Sequence, residues 1–306
     1  MQPIEAPTDP RVFHDRIYGG EILCFRRLPA MAGLVEAVRA LLEADFSSPP
    51  VEAHGGLSHG EQVARFTALQ RAAARAPEIK DAWRALFEAL GLAPSALAHD
   101  KLHLRFQPPV EPGEDPEREA ATAPLAFHRD TWGSNLYAQV NWWAPVYPIE
   151  AGRTVALYPE LWERSVKNTS ADFDLPGVIE GRRTRSNGKV FADEAIPHLA
   201  EPLDPALAVP LVVEPGDLLA FSGAHAHARG PNRTPLMRIS LETRTLWIED
   251  LKAGRGAPNV DGAAPWMAPG WFKRGHDGAK LSDLLGLEPV VPYDPPPAAR
   301  AGAGNC

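Results

Sequence analysis

Phe127-His128-Arg129-Asp130-Thr131-Trp132 and, far along the chain, His225-Ala226-His227-Ala228-Arg229-Gly230-Pro231-Asn232 are the two segments whose reading decides the fold. Residues two apart in an extended segment leave the same face. His128 and Asp130 therefore offer an imidazole and a carboxylate to one cation. A third ligand must come from elsewhere, and His227 lies 99 residues later. A β-jelly-roll spans such a separation when its first and last core strands are neighbours. Two imidazoles and one carboxylate on one face of an octahedral metal leave open positions for a bidentate oxo-acid and for O2. Arg238, eleven residues beyond His227, completes the pattern.

The residues around these segments have strand period. Leu102–Phe106 sets His103 and Arg105 against Leu102, Leu104 and Phe106, and Tyr137–Trp143 sets Tyr137, Gln139, Asn141 and Trp143 against Ala138, Val140 and Trp142. Gly152–Pro159, Leu211–Val213 and Leu218–Phe221 read as further strands, with Glu214-Pro215-Gly216-Asp217 as a turn. Met237–Trp247 alternates cleanly, so Arg238, Ser240, Glu242 and Arg244 share one face. A polar inner face is what a ligand-holding barrel requires. The long, charged stretch Arg164–Gly188 reads as a lid, and its Arg182–Arg185 run as a solvated face. Pro108–Pro124 is an acidic, solvated connection. Trp132 and Trp142 read as packing residues.

The N-terminal part has helical period instead. Glu21–Phe25 is a short strand, and Leu34, Val35, Val38, Leu41, Leu42 and Phe46 then recur at helical spacing. Ser58-His59-Gly60-Glu61 is a capping box for a second helix, and Pro77 opens a third that Gly91 can terminate. From Ala253 onward glycine and proline dominate, with Trp266, Met267, Trp271 and Phe272 as packing anchors and Asp294–Cys306 as a disordered tail.

Composition narrows the function classes. With 306 residues, 44% of them apolar, the chain can bury a sizeable core, and its net charge of −8 argues against nucleic acid or an anionic membrane as the main partner. Cys24 and Cys306 make neither a disulfide framework nor a zinc motif, and the first residues have no leader pattern. The expectation is a cytoplasmic protein acting on a small molecule.

The two histidine segments, together with Gly216–Gly223 before the second and Arg238 followed by Ser240, resemble the Fe(II)/2-oxoglutarate-dependent dioxygenases. Within them they are similar to the phytanoyl-CoA dioxygenase-like group. The resemblance covers about residues 102–247, and departs where the family usually has Asn-Gly and this chain has Ala151-Gly152. It implies a mainly β fold with flanking helices around a double-stranded β-helix (jelly-roll, cupin-like) core. A single domain would span residues 1–293, with a helical part at about 30–100 and a β core at about 101–250.

It also implies Fe(II) held by His128, Asp130 and His227, 2-oxoglutarate held by Arg238 with Ser240 and Asn141, O2 as oxidant, and hydroxylation of a small molecule. His225 competes with His227, but the Pro231-Asn232 turn and Arg238 fall at the family spacing only from His227. The alternative is a cupin-like metal-binding jelly-roll without 2-oxoglutarate turnover.

Overall fold

The computed structural model describes residues 2–4, 9–110, 125–184 and 196–297. After β1 (Gln2–Ile4), Asp9 caps α1 (Pro10–Tyr18) by accepting the Arg11 backbone N–H at 2.8 Å. Pro10 opens the helix without loss, because that position has no helical hydrogen bond to give up. The sequence reading missed α1, whose nine residues are too few to establish a period. β2 (Leu23–Phe25) and α2 (Pro29–Asp45) follow. α3 (His59–Ala73) opens on the expected capping box, in which Ser58 and Glu61 each accept the other's backbone N–H. α4 (Pro77–Ala89) closes with Leu92 N–H donating to Phe87 O and Gly91 N–H to Glu88 O. Gly91 stands at φ 72° there, a left-handed turn that glycine adopts without strain.

The chain then becomes sheet: β3 (Leu97–His99), β4 (His103–Gln107), β5 (Leu125–His128), a single turn α5 (Thr131–Ser134), β6 (Gln139–Pro145) and β7 (Ala156–Leu157). After α6 (Leu175–Thr184) come β8 (Val209–Pro210), β9 (Leu218–Ser222), β10 (His227–Arg229) and β11 (Arg238–Trp247). The last elements are α7 (Ile248–Lys252), β12 (Trp266–Met267), β13 (Lys273–Arg274), α8 (Leu281–Leu285) and β14 (Val291–Pro292).

A large sheet has the order β1-β2-β9-β6-β11-β3-β13, with β4 also on β11, and a small sheet has the order β5-β10-β7-β8. β1 runs parallel to β2, and the other ladders are antiparallel. Two expected strands are corrected. Gly152–Pro159 pairs only at Ala156–Leu157, because Ala151–Arg153 forms a 3-10 turn and Pro159 begins another. The strand expected at Leu211–Val213 lies instead at Val209–Pro210, on the edge of the small sheet, where a proline needs no ladder donor.

Period 2 sorts the large sheet into two faces. Leu104 and Phe106, Val140, Trp142 and Ala144, Leu218 and Ala220, and Ile239 and Leu241 turn outward into one apolar cluster with the stripes of α1 to α4. Trp142 stacks on Phe13 at 5.5 Å and donates from Nε1 to Thr245 Oγ1 at 2.8 Å, so it packs as expected. Burying each such large side chain stabilises the fold by roughly 1.5–3 kcal/mol. The opposite face of the sheet turns toward the small sheet. There Trp143, Leu219 and Phe221 meet Leu157, Leu211 and Val213 in a second apolar cluster. Toward β11 and β4 the same face is polar, and the site lies on that side.

Among the described residues no helix is long and apolar enough to cross a membrane. The acidic connection from residue 111, the side chains of the Arg182–Arg185 run and the tail from residue 298 lie outside the described residues.

Candidate metal centre and its cavity

His128 ends β5 and His227 begins β10, and the two are direct partners in the antiparallel ladder. Their rings lie 4.2 Å apart between centroids. Asp130 follows β5 at the start of α5, where its backbone N–H donates to Gly223 O at 3.0 Å. One ligand atom from each of His128, Asp130 and His227 lies within 4.8 Å of the others, a grouping that can hold a metal ion.

The remaining atoms of all three side chains are engaged by the protein. His128 Nδ1 donates to Ala126 O at 2.8 Å and His227 Nδ1 to His225 O at 3.0 Å, which leaves both Nε2 atoms as acceptors. Asp130 Oδ2 accepts from Gln139 Nε2 at 2.9 Å and Asn141 Nδ2 at 2.6 Å, while Oδ1 lies 3.5 Å from His128 Nε2. Gln139 also donates to Asn141 Oδ1 at 2.8 Å. This network needs Gly223, since a Cβ there would stand 2.8 Å from Gln139 Nε2. Burial by itself would raise the Asp130 carboxyl. The apposed His128 and His227 rings and the positive charge of Arg244 outweigh it and hold the group well below the ordinary carboxylate range. Burial, helped by the neighbouring His128, pulls His227 down to about 4, so its imidazole is neutral at physiological pH, as a ligand must be.

His225 takes no part in this grouping. The chain turns at Ser222–His225, so 225 and 227 do not share one extended run. His225 Nε2 donates to Gly20 O at 3.1 Å, and its ring packs on Trp162 at 4.4 Å.

Arg238 and Ser240 are buried on the polar face of β11. Nε, Nη1 and Nη2 of Arg238 and Oγ of Ser240 have no hydrogen-bond partner among the described residues. Burial, together with the charge of Arg229, pulls the Arg238 guanidinium down to about 9. Buried polar groups are nearly always satisfied, and with Glu242 Oε1 five atoms on this face are unpartnered among the described residues, so the face can take up a polar ligand. Asn141, the third expected cosubstrate contact, has its amide on Gln139 and Asp130.

Several contributors escaped the sequence reading. Gln139 was on the expected inner face, but nothing local tied it to Asp130. Arg129, between the two candidate ligands, donates to Ala224 O and Leu161 O and pairs with Asp261 at 3.1 Å. Asp261 also accepts Trp132 Nε1 at 2.6 Å, so Trp132 packs and braces the loop after β5. Asp261 lies in the glycine- and proline-rich region, where no pattern could have singled it out. Asp100 accepts from Thr243 Oγ1 at 2.9 Å and pairs with Arg244 at 2.7 Å and His103 at 3.1 Å.

A cavity of about 910 Å³ reaches His128 and Asp130. One wall comes from α4, with Ile79, Trp83 and Phe87, and the other from the expected lid stretch, with Phe173, Leu175 and Val178. Residues 185–188 of that stretch lie outside the described residues.

No protein-family model and no curated protein sequence matches the chain. Solved structures similar to it include EvdO2 from Micromonospora carbonacea var. aurantiaca complexed with 2-oxoglutarate, at 13% identity over 80% of this chain and 94% of that one, with a TM-score of 0.46. The non-heme α-ketoglutarate-dependent carbocyclase SnoK from nogalamycin biosynthesis is 13% identical over 96% and 97%, with a TM-score of 0.40. The non-heme monooxygenase ThoJ is 15% identical over 77% of both chains, with a TM-score of 0.39. None is similar enough to transfer a function to this chain.

Proposed function

We propose that the chain is a non-haem Fe(II)- and 2-oxoglutarate-dependent dioxygenase that hydroxylates a small molecule. The observation that carries this reading is the pairing of a pre-oriented His-Asp-His set with an orphaned, buried guanidinium on an adjoining face. Two neutral imidazoles and one carboxylate on one side of a cation are the donor set of a facial triad, so the residues fit iron. Arg238 fits the far carboxylate of a dicarboxylic acid, because its fork can donate two parallel charge-assisted hydrogen bonds, and Ser240 Oγ can add a third. Bound there, iron with 2-oxoglutarate and O2 supplies the oxidising power, with succinate and CO2 as coproducts. The protein's own part is to fix both imidazole tautomers, to turn Oδ1 of Asp130 inward through Gln139 and Asn141, and to shelter the site between α4 and α6.

The fold reading is consistent with this. The strand order β4-β11-β6-β9 in the large sheet, opposite β5-β10-β7-β8 in the small one, supports a single domain with a jelly-roll core. A carboxylate ligand at Asp130, rather than a small residue that would admit halide, favours hydroxylation.

The test is Fe(II)-dependent conversion of 2-oxoglutarate to succinate by the purified protein, with His227→Ala and His225→Ala in parallel. We expect His227→Ala to lose metal binding and His225→Ala to retain it. Metal binding without any succinate would favour the cupin-like alternative. The reverse histidine result would move the third ligand to His225.

A further inference from the structure

We propose that the cavity selects an acidic, amphipathic substrate, with an apolar body between the α4 and α6 walls and an anionic group drawn in through the cationic mouth and met by Arg229. This rests on the functional reading above only in placing the metal where the cavity reaches His128 and Asp130.

The charges are distributed against the chain's overall balance. The protein has a net charge of −8, yet the acidic side chains lining the cavity, among the described residues, are Asp100 and Asp130 alone. Both are committed, Asp100 to Arg244 and His103, and Asp130 to the metal grouping. Deeper in, Glu242 accepts from Arg105 Nε at 3.2 Å. Arg238 would meet the cosubstrate's far carboxylate, and a divalent metal balances a dianionic cosubstrate. Arg229 lines the cavity without a direct hydrogen bond to the described residues, and the opposite charge that it feels, Glu242, is shared with Arg105 and Arg238.

At the mouth, Lys80 and Arg84 on α4 and Lys273 on β13 are exposed and face the same space. Arg84 has only an exposed ion pair with Asp81, at 3.1 Å, which water and salt weaken. Among the described residues, a loaded cavity thus keeps an excess of positive charge beside apolar walls of Trp83, Phe87 and Phe173. An uncharged substrate would shield Arg229 from water without pairing it, and that penalty disfavours binding. An anion relieves it and is also drawn in by the mouth cations.

The experiment uses two fluorescent probes of one shape. 8-Anilinonaphthalene-1-sulfonate has an apolar body and one anionic group, and N-phenyl-1-naphthylamine is the same body without the sulfonate. Each is titrated at low ionic strength into protein loaded with Fe(II) and 2-oxoglutarate under anaerobic conditions. The expected result is at least tenfold tighter binding of the sulfonate. That preference should shrink about tenfold in Lys80→Gln/Arg84→Gln/Lys273→Gln and again in Arg229→Gln, with the neutral probe unchanged. The mouth substitutions are at exposed positions, so folding is preserved even if Arg229→Gln proves unstable. Equal binding of the two probes, or an unchanged preference in the mouth variant, overturns the inference. The same titration on metal-free His128→Ala, with and without the mouth substitutions, separates the two readings: a sulfonate preference there that the mouth substitutions still reduce supports the cavity inference even if 2-oxoglutarate never binds, and one that they leave unchanged overturns it.

Discussion

Replacing Arg238 should make the ligand-free protein more stable and the cosubstrate site weaker at once. The guanidinium is 1% exposed, and none of its three nitrogens has a partner among the described residues. Burial holds it near 9, which means that the charged form is disfavoured in the fold relative to water. Below that pH the full penalty is present, so the empty protein bears it at neutral pH. Arg238→Met fills similar space without the charge and should stabilise the ligand-free protein by about 1–4 kcal/mol. For a chain of this size that is an increase in Tm of roughly 2–8 °C. Arg238→Lys keeps a charge but loses the fork, and a charged hydrogen bond is worth roughly 1.5–3 kcal/mol. Its KM for 2-oxoglutarate should rise about ten- to a hundredfold, with Fe(II) affinity unchanged. The assays are thermal unfolding with and without 2-oxoglutarate, and succinate formation. Wild-type protein should gain Tm on adding 2-oxoglutarate, and the Met variant should not. A Met variant that melts lower than wild type, or a Lys variant with unaltered KM, would refute the assignment, and Arg244 would be the next candidate on that face.

Asn141→Ala removes the 2.6 Å hydrogen bond to Asp130 Oδ2 and should weaken metal binding about ten- to a hundredfold in a metal titration, with little change in Tm. Asp100→Asn breaks a buried pair with Arg244 and should destabilise by about 3–5 kcal/mol, measured by urea unfolding. Burial opposes ionisation of Asp100, but Arg244 and His103 more than offset it and hold its pKa well below the usual carboxylate range. Its contribution is therefore fully present above about pH 4 and lost as pH falls below that, so the variant should show a flatter acid limb in a stability–pH profile. The α6 wall should become resistant to limited proteolysis within residues 164–188 when metal and 2-oxoglutarate are added, and equal cleavage in both states would count against a lid.

What the sequence determined by itself was local. The period of Arg238–Trp247 assigned Arg238, Ser240, Glu242 and Arg244 to one face, and the Ser58–Glu61 box fixed the start of α3. The His-x-Asp spacing brought His128 near Asp130, because neighbours in the chain have few ways to lie apart. Short strands at prolines were misplaced, since one or two ladder bonds leave no period to read. Which histidine lies beside His128 was decided by tertiary structure: β10 pairs His227 with His128, while the turn at Ser222–His225 sends His225 to Gly20. Gln139 on Asp130, Asp261 on Arg129 and Asp100 on Arg244 are likewise products of strand crossing. A side chain's face follows from backbone geometry within a few residues. Its partner across the sheet depends on where the whole chain has folded back, and no local pattern encodes that.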